Sequence, residues 1–180
     1  MTTVIRETRE TRVRVEADFG TGAANVDTGI RFLDHMLVTL ARTSGLDLSI
    51  TASGDLKHHT IEDVGIAVGA AVLALRTDLA SRYGERTLAM DDALVHVVVD
   101  LGGRPFYRGP LPSALYDHWM RSFAFEAKAT LHLRVLRGSD RHHVVEAAFK
   151  ALGLALRQAM AQTGTPSSTK GAVSLEVRGC

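Results

Sequence analysis

His58-His59-Thr60-Ile61-Glu62-Asp63 returns 84 positions later as His142-His143-Val144-Val145-Glu146. Both stretches read His-His-x-x-Glu. On a helix, the first His and the Glu stand at i and i+4, so they share one face and can grip one ion. The second His of each pair points off that face, where it can serve another ion. A divalent metal of intermediate softness favours this mixture of imidazole and carboxylate. One histidine pair at a helix start is as readily a solvated feature as a ligand set. Two copies, each with a Glu at the same offset, are harder to explain that way, because surface histidines have no reason to recur together.

The flanking sequence repeats at the same offset. Gly54 matches Gly138, and Ala67, Gly69 and Ala71 match Ala151, Gly153 and Ala155. Each half reads helix, strand, glycine-containing turn, His-His-x-x-Glu helix. The helix before each strand adds one more histidine, His35 and His118. Each half therefore offers three His and one Glu. The period is too long for a solenoid. It describes an internal duplication, with pseudo-repeats over about 1–90 and 91–180 joined in one domain.

Composition narrows the function classes. The chain has 180 residues, 46% of them hydrophobic, enough for a real core. The formal net charge of +1 gives no strong field for nucleic acid or a membrane surface. The one cysteine, Cys180, allows no internal disulfide and makes a thiolate metal site a poor reading. This fits a reducing cytoplasm. The first residues lack the apolar core of a signal peptide. No run of about 18 apolar residues is present to span a bilayer.

Outward from the motifs, residues 1–18 read as a strand region, with Val13 and Val15 alternating with Arg12, Arg14 and Glu16. Gly20-Thr21-Gly22 is a turn. Asp27-Thr28-Gly29 opens a helix with an apolar stripe of Leu33, Met36, Leu37, Leu40 and Ala41. Leu46 to Ile50 alternates as a strand. A helix is expected from Ile61 to about Ser81, its Gly65 and Gly69 pointing to close helix packing. Residues 82–92 read as a connection, and Leu94 to Val99 as a buried strand in which His96 is structural. A helix from about Asp117 turns Trp119, Met120, Phe123, Ala124 and Ala127 inward. A strand of Leu131, Leu133 and Val135 follows, then a helix to about Ala161. The tail cluster Thr165 to Gly171 can cradle a phosphate or be an ordinary flexible tail. Val173, Leu175 and Val177 alternate as a short final strand.

Taken together, these segments resemble the imidazoleglycerol-phosphate dehydratase family of histidine biosynthesis. The resemblance is carried by Arg9-Glu10-Thr11, Thr28 to Leu37 with its Asp-His-Met-Leu, Gly54-Asp55, and His58 to Ile66. It continues through Arg82-Tyr83-Gly84, Met90-Asp91, Asp100 to Pro105, His142 to Ala151 and Ser168-Thr169-Lys170-Gly171. The segments run in family order over nearly the whole chain. The resemblance implies an α+β fold built from a duplicated half, with helices packed between two four-stranded sheets. It implies two Mn2+ per active site, with ligands His35, His58, His59, Glu62, His118, His142, His143 and Glu146. It also implies sites built between subunits of a 24-subunit shell assembled from trimers. Glu10, Arg82, Arg104, Ser168 and Lys170 match substrate-contacting positions, the last four assigned to the phosphate by charge and donor geometry.

The expected reaction removes water from imidazole glycerol phosphate to give imidazole acetol phosphate. The hydrogen lost is carbon-bound and poorly acidic, since no carbonyl stands beside it. Metal ions on both imidazole nitrogens would stabilise an imidazolate, which can expel the hydroxyl through a diazafulvene-like intermediate. A carboxylate must move protons; Glu10 is the main candidate beyond Glu62 and Glu146. The sequence departs from the family pattern at Thr43, at Asp92, at Gly102 and in a shortened turn, Gly54-Asp55-Leu56-Lys57. Two other readings compete. One is a non-catalytic, metal-assembled shell protein; the other is a metal-dependent hydrolase. Retention of Ser168-Thr169-Lys170 weighs against the first, and the full ordered motif set against the second.

Overall fold

Thr2–Glu7 (β1) and Thr11–Phe19 (β2) form an antiparallel hairpin, followed by Ala24–Asp27 (β3), Arg31–Ser44 (α1), Leu46–Gly54 (β4) and Lys57–Leu75 (α2). The same order then recurs as Tyr83–Met90 (β5), Ala93–Asp100 (β6), Phe106–Arg108 (β7), Ala114–Glu126 (α3), Thr130–Arg137 (β8) and Arg141–Ala159 (α4). The structure is a computed structural model that describes residues 1–164 and Glu176. Ser168 and Lys170, with the strand residues Val173, Leu175 and Val177, lie outside the described residues.

Each half makes one four-stranded sheet, with orders β1-β2-β4-β3 and β5-β6-β8-β7. Only β3 on β4 and β7 on β8 run parallel. The helices lie between the sheets, as expected of this α+β duplication. α2 packs on β1 and β2, and α4 on β5 and β6. Across the middle, α1 meets α4 and α2 meets α3.

The alternating strands set this layering. Val13, Val15 and Ala17 of β2, Leu48 and Ile50 of β4, Val95, Val97 and Val99 of β6, and Leu131 and Leu133 of β8 are buried against the helices. Each valine, leucine and isoleucine among them contributes about 1.5–3 kcal/mol of burial free energy. Between the layers, Trp119 stacks on Phe123 at 5.4 Å and meets Phe149 at 4.6 Å, ring centre to ring centre. α2 is buried on most of its faces because it sits between a sheet and α3. Its glycines make that possible: a Cβ on Gly69 would stand 2.6 Å from the carbonyl oxygen of Phe123.

Several elements differ from the sequence reading. The region read as a connection is β5, a strand whose polar sequence hides it; it is held by pairing with β6 and by α4, against which Gly84 lies without room for a Cβ. The repeated set of elements therefore opens at Tyr83. The short parallel strands β3 and β7 went unread, since three or four residues carry no periodicity. α2 ends at Leu75 rather than near Ser81. β6 buries one face only, and Val98 on the other face is exposed. No helix among the described residues is long and apolar enough to cross a membrane.

Candidate functional site

Both His-His-x-x-Glu stretches are helical, at the N-terminal ends of α2 and α4. α4 is capped by Asp140, whose side chain accepts from the His142 N–H at 2.7 Å, an arrangement worth about 1 kcal/mol. In α2, Asp63 follows the ligand candidates and is buried. It accepts from Thr11 Oγ1 and lies 2.9 Å from Arg6 Nε, tying the helix to β1 and β2.

Two residues preceding the outer histidines fix the other helices. Asp34 accepts from the Thr28 N–H at 2.8 Å and from its hydroxyl at 2.6 Å, anchoring the segment that leads into α1. Asp117 does the same for α3, accepting from the Leu111 N–H at 2.8 Å and from the Tyr107 hydroxyl at 2.5 Å. His35 and His118 follow directly. The sequence reading set Asp34 beside its stripe and took Asp117 as the start of a helix that in fact begins at Ala114, giving neither this anchoring role; the shared Asp-His pair was the available signal.

The helix pairing brings the histidines together across the two halves. His35 of α1 joins His142 and Glu146 of α4, and His118 of α3 joins His58 and Glu62 of α2; within each triplet one donor atom per residue lies within 4.8 Å of the others. In the first, His35 Nε2 is 3.3 Å and His142 Nε2 is 3.1 Å from Glu146 Oε2. In the second, His118 Nε2 is 3.2 Å from Glu62 Oε1 and His58 Nε2 is 3.6 Å from Glu62 Oε2. His118 Nε2 is buried and has no hydrogen-bond partner. A buried lone pair or N–H without a partner costs free energy, and a cation supplies one. Both triplets have the imidazole and carboxylate chemistry of a divalent metal site.

The triplets are not equivalent. Glu146 is buried, and Lys150 Nζ holds its Oε1 at 3.0 Å. Burial pushes this carboxyl up, but the hydrogen bonds from Lys150 and His35 outweigh it and hold it below the usual range. Glu62 has no such cation and is more exposed.

His59 and His143 join neither triplet. His59 Nδ1 lies 2.8 Å from Asp55 Oδ1 and 3.6 Å from Glu10 Oε2. His143 Nδ1 lies 2.8 Å from Asp92 Oδ1, with Asp91 Oδ2 3.5 Å from its Nε2. The Asp55 and Asp92 hydrogen bonds raise both imidazoles above the ordinary histidine range. Asp92 itself is held well down by the Ser139 N–H first, then by His143 and the Asp140 N–H. Glu10, in the β1–β2 turn, stands with Asp55 and His59 as a third close group.

Arg82 and Arg104 are elsewhere. Arg82 Nε and its second amine lie 2.6 and 2.9 Å from the two oxygens of Asp100, which holds Asp100 low and Arg82 high. Gly102 gives this guanidinium room, since a Cβ there would stand 2.3 Å from it. Asp100 ends β6, whereas Asp92 precedes its first residue. At about 3.3 Å per residue the strand separates them by about 26 Å. Within one chain, the basic residues and His143 therefore stand at opposite ends of the second sheet. Thr43 is no ligand: its hydroxyl bonds the Thr39 carbonyl at 2.8 Å, and its side chain faces Gly153 where α1 meets α4.

Known proteins resemble this chain over nearly its whole length. The imidazoleglycerol-phosphate dehydratase family model matches residues 28–156. The chain is 44% identical to the imidazoleglycerol-phosphate dehydratase of Desulforudis audaxviator, over 95% of this chain and 96% of that one. It is 45% identical to that of Salinispora arenicola, over 92% and 95%. Among solved structures, the Pyrococcus furiosus enzyme superposes with a TM-score of 0.85 at 37% identity, covering 94% of this chain and all (100%) of that one. The Staphylococcus aureus enzyme gives 0.79 at 31% identity, covering 91% and 100%.

Proposed function

The chain belongs to the imidazoleglycerol-phosphate dehydratase family, a hydro-lyase family of histidine biosynthesis, and on that premise we propose that it dehydrates imidazole glycerol phosphate at a two-manganese centre shared between copies of the chain. The observation that carries this reading is the pair of cross-half triplets, His35 with His142 and Glu146, and His58 with Glu62 and His118. Three donors leave each ion short of a full shell. His59 and His143 of neighbouring copies are the remaining imidazoles, and each is held outside its own triplets. When bound, the two ions supply Lewis acidity to the imidazole ring of the substrate. Manganese binds weakly by intrinsic affinity, so its availability decides occupancy.

The chain's own residues take the other tasks. Glu10 is exposed in its turn beside His59, so a copy that lends His59 to a centre brings Glu10 to it as well. There it can move the proton from carbon and the proton to the departing hydroxyl. Arg82 and Arg104, with Ser168 and Lys170 of the tail, take the phosphate. The separation of about 26 Å between Arg82 and the β5–β6 turn supports a phosphate site and metal ligands from different copies. A 24-subunit shell built from trimers is the assembly proposed. A cytoplasmic location accompanies this reading, with Cys180 as the one cysteine.

The test is turnover of imidazole glycerol phosphate by metal-stripped protein, with and without added manganese. Activity that depends on manganese supports the centre. Undiminished turnover in stripped protein, with no metal found by elemental analysis, removes it.

A further inference from the structure

Of the histidines outside the triplets, His59 and His143 are each held at Nδ1 by an aspartate, and the two aspartates stand at different places in the duplicated fold. His59 and His143 are equivalent in the duplicated sequence, and each Nδ1 has an aspartate oxygen at 2.8 Å. Asp55 stands in the turn before α2, four residues ahead of its histidine. The matching residue in the second half is Ser139, which supplies no carboxylate. Instead, Ser139 donates its N–H and its hydroxyl to Asp92, at 2.7 and 2.9 Å. Asp92 reaches His143 from the β5–β6 turn, 51 residues away in sequence. Glu10, in the matching β1–β2 turn, comes within 3.6 Å of His59 Nδ1, so a hairpin-turn carboxylate faces the second histidine in both halves. In the first half the hydrogen bond is nonetheless made by Asp55, and in both halves an aspartate oxygen ends 2.8 Å from Nδ1.

The four triplet histidines behave differently. His35, His58, His118 and His142 turn Nε2 to a glutamate of their own triplet. Among the described residues, none of them has a hydrogen bond at Nδ1. They are placed by convergence within one chain. His59 and His143 have no such convergence and need another restraint. A carboxylate accepting from Nδ1–H provides it, because it fixes the ring's tautomer and leaves the Nε2 lone pair as the metal donor.

We infer that Asp55 and Asp92 are positioning residues that present Nε2 of His59 and His143 to a metal held by a second copy of the chain. This rests on the proposed sharing of the centre between copies. Asp91 Oδ2 faces His143 Nε2 only as a long ion-pair contact at 3.5 Å from a side chain that is 65% exposed, so it can swing aside and give that atom to the ion.

Asp55 is the cleaner test, since it is exposed and bonds only the Leu56 N–H and His59. Asp92 also holds the loop before α4. Manganese is titrated into metal-free wild type, Asp55→Ala, Asp55→Asn and His59→Ala. Bound metal is read by equilibrium dialysis, and assembly mass by light scattering. Ring nitrogen shifts of His59 in the metal-free protein report the tautomer. Outer partners of metal-bound histidines typically carry 10–100-fold in affinity. Asp55→Ala is expected to raise the manganese midpoint by about 10-fold or more and to release the single tautomer. Asp55→Asn, which keeps an acceptor, restores most of both. Unchanged midpoints and tautomer in Asp55→Ala, with His59→Ala impaired, overturn the positioning role alone. Unchanged binding and assembly in His59→Ala overturn the shared centre and this inference with it.

Discussion

His35 Nε2 lies 3.3 Å from Glu146 Oε2, although the two residues belong to opposite halves of the duplicated chain. The exchange is reciprocal, with His118 set against Glu62. It follows from the packing of α1 on α4 and α2 on α3. Residues that serve one ion should not add when removed together. His35→Ala and Glu146→Gln are each expected to lose one manganese per chain, and the double variant no more than that. His58→Ala combined with Glu146→Gln is expected to lose both ions. Metal per chain by elemental analysis reads the result, with turnover abolished in parallel. Additive loss for His35 with Glu146 would sink the cross-half pairing.

Acid should strip the metal earlier than ordinary histidines would. Asp55 and Asp92 raise His59 and His143 above the reference value of 6.5. In the metal-free chain both rings hold their protons to higher pH, and a protonated ring cannot coordinate. Release on acidification is therefore expected to begin at a higher pH than a pair of ordinary histidines would give. For the metal-free fold the sign is opposite. The ion pairs stabilise it fully below the unfolded pKa, and their contribution fades as pH rises through the raised folded value. Metal occupancy against pH, and denaturant midpoints of stripped protein over the same range, check the two halves of this statement.

Gly69→Ala separates packing from helix propensity. In an exposed helix the change gains about 1 kcal/mol. Here the new Cβ meets the Phe123 carbonyl oxygen at 2.6 Å and the Ala127 nitrogen at 3.0 Å, both backbone atoms that cannot step aside cheaply. Overpacking of this kind costs about 1–3 kcal/mol. The variant is expected to unfold at lower denaturant concentration than wild type in stripped protein. A gain in stability would show that α2 and α3 can part without cost.

How much of this was legible in the sequence depends on the kind of signal. His58 with Glu62 and His142 with Glu146 could be read, because i and i+4 on one helix is fixed by the chain itself. That His118 completes the first set and His35 the second could not, since periodicity gives a helix its buried face but not its partner. Trp119, Met120 and Phe123 were readable as core for the same reason. β5 was not, because Gly84-Glu85-Arg86-Thr87 carries no apolar alternation, and its place is set by β6 and α4. Asp63 lay inside the quoted motif, yet its role needs Thr11 and Arg6, about fifty residues away and visible only once β1 and β2 fold over α2. The pairing of Arg82 with Asp100 was likewise hidden by distance in sequence.

That pairing carries the last prediction. One edge of the Arg82 guanidinium, Nε with a terminal nitrogen, is engaged by Asp100, which orients this partly buried group and leaves its other N–H donors unused by that carboxylate. Arg82→Lys keeps the charge but loses the planar fork, so it can match neither Asp100 nor a phosphate with two parallel hydrogen bonds. Hydrogen bonds to charged groups contribute about 1.5–3 kcal/mol, or about 10–100-fold in binding. The phosphate lies away from the bond being broken, so the loss should fall on KM while kcat changes little. Asp100→Asn keeps the geometry of one acceptor but weakens the hold on Arg82, and a smaller rise in KM is expected. Arg82→Lys with an unchanged KM would remove Arg82 from the phosphate site and leave it a structural partner of Asp100. A fall in kcat with KM constant would instead place it beside the reacting carbons.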